Sequence, residues 1–165
     1  MIVNNLGRDI EIAIRQELAR QAVQEIPEIT PIVKLMVAFQ IRFEELLKAV
    51  IASRTNKEKL PPIDIPSIIG SEKDWHQAEL TLRATPHNLS AIVVTLWTIC
   101  ELTEKSGEFY LQISRNTAQP SERLFYNSLA EIKKILKRRL SGILHSIYNE
   151  VWEDIGFAPF ILKKD

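Results

Sequence analysis

Residues 120–151, PSERLFYNSLAEIKKILKRRLSGILHSIYNEV, decide the fold. Phe125, Leu129, Ile132, Leu136, Leu140, Ile143, Ile147 and Val151 recur at steps of three and four. On a 3.6-residue period such a row forms one stripe, so the spacing predicts a helix over about 120–154. Pro120 stands at its start, where the missing N–H of proline would have had no partner in any case.

The same punctuation recurs upstream. Thr30-Pro31 and Thr85-Pro86 each place a capping residue before a helix-starting proline. After Pro31, the row Ile32, Met36, Phe39, Phe43, Leu46 and Val50 predicts a helix over 31–53. After Pro86, the row Leu89, Ile92, Leu96, Ile99, Thr103, Gly107, Tyr110 and Ile113 predicts one over 86–115. A weaker first helix, 6–25, carries Ile10, Ile14, Leu18 and Ala22 and is ended by Pro27. No stretch alternates apolar and polar residues long enough to argue a strand.

The connection over 55–85 is different. TNKEKLPPIDIPSIIG holds three prolines and a glycine, and Ser71 with Asp74 three residues on caps a short helix through WHQAEL. Two tight turns flanking one long crossover give an all-α four-helix bundle of the ferritin-like kind.

Composition bounds the rest. One hundred and sixty-five residues make a single domain. Lys+Arg and Asp+Glu both count 21, and a net charge of zero removes the electrostatic case for nucleic acid or an anionic membrane. The lone Cys100 excludes a disulfide framework and reads as a buried structural thiol. The stretch MIVNNLGRDIEIAIRQ has acidic residues where a signal peptide needs a basic, then apolar, start. The longest uncharged run, between Arg83 and Glu101, falls short of the ~20 apolar residues of a membrane span. A cytoplasmic protein is expected.

The C-terminal half resembles the rubrerythrin branch of the ferritin-like proteins. The resemblance lies in the aromatic pair Phe109-Tyr110, Ile113-Ser114, the turn with Pro120, the pair Phe125-Tyr126, and Leu129-Ala130-Glu131. It implies a bundle whose family holds iron with a Glu from each of two helices and a Glu-x-x-His from each of the other two. Matched position by position, one such Glu falls at Thr103 and a Glu-x-x-His falls at Lys133 and Leu136, none of them a ligand. The resemblance therefore implies a bundle that has lost its diiron site, with an apolar, dry centre and no cofactor. Such a chain would be a non-catalytic oligomerisation or partner-binding module; the long helices and the apolar tail add the expectation of a homodimer, and the charge balance that of no nucleic-acid or membrane partner. The alternative is a rubrerythrin-like oxidoreductase that binds iron, with His76, Glu79 and Glu101 as candidate ligands and Glu104, Glu108 and Glu131 elsewhere.

A further alternative rests on Arg138 and His145, seven apart on the last helix with Ser141 between them. This spacing resembles the HEPN ribonucleases, and implies His as acid/base and Arg on a scissile phosphate across a dimer. The block Lys133, Lys134, Lys137, Arg138 and Arg139 is interleaved with Ile132, Ile135, Leu136 and Leu140, and reads as a solvated outer face. His87 reads as a surface residue of a helix's first turn. Trp97, Tyr110, Tyr148 and Trp152 are the bulky core candidates. The apolar tail 156–165 is expected to cover its own bundle or another subunit.

Overall fold

A computed structural model describes residues 2–22, 26–56, 60, 62–84 and 89–154. These residues are all-helical: α1 (Ile2–Ala22), α2 (Thr30–Thr55), α3 (Ile65–Ile69), α4 (Glu72–Ala84), α5 (Leu89–Asn116) and α6 (Pro120–Asp154). Four long helices match the four expected from the apolar rows, with ends shifted by a few residues. The crossover holds two short helices where one was expected, because Pro66 near the first position of α3 and Gly70 at its end, with φ of 88°, isolate one extra turn. The tail 156–165, His87, the Thr85-Pro86 start and the side chains of Val151 and Trp152 lie outside the described residues.

The helix starts differ from one another in chemistry. Pro120 opens α6 as expected. Thr30, expected to cap, is the first residue of α2, and its hydroxyl instead donates to the Ile26 carbonyl at 3.2 Å. Ser71 does cap α4, accepting from the Asp74 N–H at 3.2 Å while its hydroxyl donates to the Asp74 carboxylate at 2.7 Å.

The α5–α6 hairpin turns through Thr117–Gln119. Its register is antiparallel, tied by the Ser114 hydroxyl donating to the Arg123 carbonyl at 3.0 Å and by Lys137 Nζ on Glu104 at 2.8 Å. α1 packs on α2 and α5, while α3 and α4 lie against α2, with α3 also touching α6. One apolar core runs through all of them, built on Leu18, Phe39, Phe43, Leu96, Leu136 and Leu140, all fully buried. Trp75 anchors α4 to it and donates its indole N–H to the Ile69 carbonyl at 2.9 Å.

Three side chains depart from the expected burial. Trp97 is 57% exposed and Tyr148 42% exposed, so neither is core. Both sit on the outward arc of their helices, where bulk alone does not turn a ring inward. Lys133, expected on the solvated face, is 2% exposed. It lies four residues after Leu129 and three before Leu136, which puts it on the inward stripe.

Candidate functional site

Lys133 is positioned by α6 and by a gap in α5. Gly107 faces it, and a Cβ built there would stand 3.2 Å from the Lys133 Cβ, a tight contact that the glycine avoids where the two helices close. The aliphatic stem then runs inward between aromatic rings, with Nζ 4.2 Å from the Phe43 ring centre and 5.1 Å from that of Phe39. A desolvated ammonium over a ring face gains from the ring quadrupole.

The ammonium donates to Glu11 Oε2 at 2.6 Å and to Gln40 Oε1 at 3.4 Å. Glu11 is fully buried. Its other oxygen accepts from the Ser106 hydroxyl at 2.5 Å, and Gln40 Nε2 donates to both its carboxylate and its backbone carbonyl. Four helices thus each contribute one polar side chain: Glu11 from α1, Gln40 from α2, Ser106 from α5 and Lys133 from α6. Beside them Arg15 reaches Glu44 at 2.8 Å, one helical turn on from Glu11 and Gln40 respectively. Two anions and two cations balance, and every polar group of the central cluster is partnered, as buried polar groups require.

Burial pushes the Lys133 ammonium below the usual lysine range, against the pull of Glu11 and Glu44. Tyr110, beside the cluster, is pushed well above the usual tyrosine value by burial first and by the Glu11 charge second. Its hydroxyl donates to the Gly7 carbonyl at 3.5 Å. The centre is therefore not the apolar, dry space expected. It is apolar around an internally neutralised ion pair.

This arrangement does not fit a diiron site. A divalent pair needs several converging carboxylates and imidazoles to supply charge and coordination number. Lys133 brings a cation into the centre, Leu136 and Thr103 are buried without donor chemistry for iron, and Thr103 gives its hydroxyl to the Ile99 carbonyl at 2.8 Å. Among the described residues, no three His, Cys, Asp or Glu side chains gather into a metal-holding group.

The other candidates are partly brought together. His76, Glu79 and Arg138 line one shallow cleft of about 380 Å³ between α4 and α6, with Trp75, Arg139 and Ser146. Glu101 and His145 do not line it. Glu79 turns to Arg83 on its own helix at 3.9 Å. Arg138 and His145 are both exposed on α6, and among the described residues no hydrogen bond joins them. Cys100 is buried, and desolvation raises its thiol above the usual value, an inert setting for a nucleophile.

Sequence reasoning missed the Glu11–Gln40–Ser106–Lys133 cluster. The signal was present: Glu11 is three residues before Ile14 and seven before Leu18, and Ser106 lies between Thr103 and Tyr110 on the core row. Four polar residues at inward positions of four separate helices mark a shared buried network. No described helix is long and apolar enough to cross a membrane. No family model, no curated protein sequence and no solved structure matches this chain.

Proposed function

We propose that this chain is a ferritin-like four-helix bundle without a working diiron site, acting as a non-catalytic, cytoplasmic oligomerisation or partner-binding module. The observation that supports it is the Lys133 ammonium on Glu11 Oε2 at 2.6 Å in the middle of the core. In a metal-bearing bundle the inward carboxylates are neutralised by bound cations; here a lysine of the chain itself does so. The carboxylate takes the ammonium, the Ser106 hydroxyl and the Gln40 amide, and buried Phe39, Phe43 and Leu136 stand in the same core. A bundle so filled works through its surface, which is consistent with homo-oligomeric assembly.

Elemental analysis of protein purified from iron- and manganese-replete cells tests the reading. Well under one metal ion per chain is expected, with no absorption band from an oxo-bridged iron pair. Two ions per chain, lost together with helical stability on chelation, would overturn it in favour of the metal-binding oxidoreductase.

A further inference from the structure

We infer that the outward face of the α5–α6 hairpin is a docking surface for a second copy of this chain, related by a two-fold axis running along the helices. The inference rests on the module reading and names the surface and the partner it would use. The face is apolar at one end. Val94 is 62% exposed, Trp97 57% and Tyr148 42%. Because Glu104 pairs with Lys137 in an antiparallel hairpin, seven residues back on α5 is level with seven residues on along α6. Trp97 is therefore level with Leu144, and eleven residues from the pair Val93 is level with Tyr148. The exposed rings thus form one band across both helices, and no other described helix covers it. A contiguous apolar band of this kind on a soluble chain marks an interaction site.

The charges beyond the band select the occupant. Lys137 is paired with Glu104, Lys105 with Glu108 and Lys134 with Glu131, all within the chain. Three charged side chains here, Glu101 and Arg115 on α5 and Arg138 on α6 at the rim of the α4–α6 cleft, have no ion pair or hydrogen bond among the described residues, and Glu101 and Arg138 are the oppositely charged two nearest in height. By the same register Glu101 is level with Leu140, two residues from Arg138, an axial offset of about 3 Å. A two-fold axis parallel to the helices and midway between them lays α5 of one protomer on α6 of its partner at equal height. Glu101 then meets Arg138 of the partner subunit, Arg138 meets Glu101 of the partner subunit, and Trp97 covers Leu144 and Tyr148 of the partner subunit. The contact is self-complementary, as an isologous interface must be. Laying α5 on α5 instead sets the acidic rows Glu101, Glu104 and Glu108 against each other, so the charge pattern favours the first arrangement.

Sedimentation velocity of the full chain tests this. A dimer is expected for the unaltered protein. Trp97→Lys should give a monomer with unchanged helical circular dichroism, since the ring is exposed and contributes little to the fold. Glu101→Arg and Arg138→Glu alone should each weaken the dimer about tenfold or more, and the double swap E101R/R138E should restore it within about threefold. A monomer at every concentration, a dimer indifferent to Trp97→Lys, or a double swap no better than the single variants would each overturn the inference. None of these touches the metal-free reading, which depends on metal content alone.

Discussion

Gly107 and Lys133 stand against each other across the α5–α6 interface, the glycine leaving the space through which the lysine stem enters the core. A methyl group at Gly107 would lie 3.2 Å from the Lys133 Cβ, which is fixed by its own helix. Gly107→Ala should therefore destabilise by about 1–2 kcal/mol, although alanine is the better helix former by about 1 kcal/mol. Gly142 on α6 is the control, with nothing within 4 Å of a built Cβ. Gly142→Ala should stabilise by about 0.5–1 kcal/mol. Urea midpoints at unchanged m-value measure both, and equal gains at the two sites would show that the helices do not close on Gly107.

Removing one partner of the central pair should cost far more than removing both. Lys133→Met leaves the fully buried Glu11 carboxylate with only Ser106 and Gln40, and should destabilise by about 3–5 kcal/mol. The double variant E11M/K133M strands only neutral groups and should lie within about 2 kcal/mol of the unaltered protein. A double-mutant cycle from urea unfolding gives the coupling; additive losses would mean that the two charges do not depend on each other.

Alkaline stability should follow Tyr110. Its folded value is raised, so the folded chain holds the phenolic proton where the unfolded chain, titrating near the ordinary 10.0, releases it. The stabilisation is full below pH 10 and is lost as the pH climbs towards the folded value, at about 1.4 kcal/mol per pH unit. Lys133 acts in the opposite sense. Its folded value is lowered, so stability gains as the pH approaches the unfolded lysine value of 10.5 from below. Tyr110→Phe should flatten the fall above pH 10, and a fall of the same slope in that variant would remove Tyr110 as its source. Unfolding midpoints across about pH 9–11 supply the comparison.

Trp75 and Trp97 should respond oppositely to truncation. Trp75 is buried and donates to the Ile69 carbonyl, holding α3 to α4. Trp75→Phe should cost about 1–3 kcal/mol by stranding that carbonyl. Trp97→Ala should change monomer stability by no more than about 0.5 kcal/mol. Thermal unfolding by circular dichroism separates the two, and similar losses at both positions would contradict the burial described.

The apolar rows made the four long helices legible, because Ile32, Phe39, Phe43, Leu96, Leu129 and Leu140 repeat with the helical period over many turns. Pro120 marked the start of α6, whereas the prolines of the crossover read as irregular chain and hid the short α3. The central cluster was hidden for a physical reason. A lysine amid Lys134, Lys137, Arg138 and Arg139 has the composition of a solvated face, and only its angle relative to Leu129 and Leu136 reveals otherwise. Its partner Glu11 lies 122 residues away, beyond any local pattern. Trp97 shows the converse error: apolar bulk was read as core, whereas its outward angle on α5 leaves it in solvent.

The wide chain separation of Glu11 and Lys133 bears on how the molecule assembles. The α5–α6 hairpin has local contacts and can form early, whereas closing a loop of this length carries an entropic cost before its contacts reward it. Until the N-terminal hairpin arrives, each half presents a charge on its otherwise greasy side. A docking shifted by one turn would strand both charges inside the core. An ion pair buried at this depth penalises a shifted register more heavily than apolar side chains would.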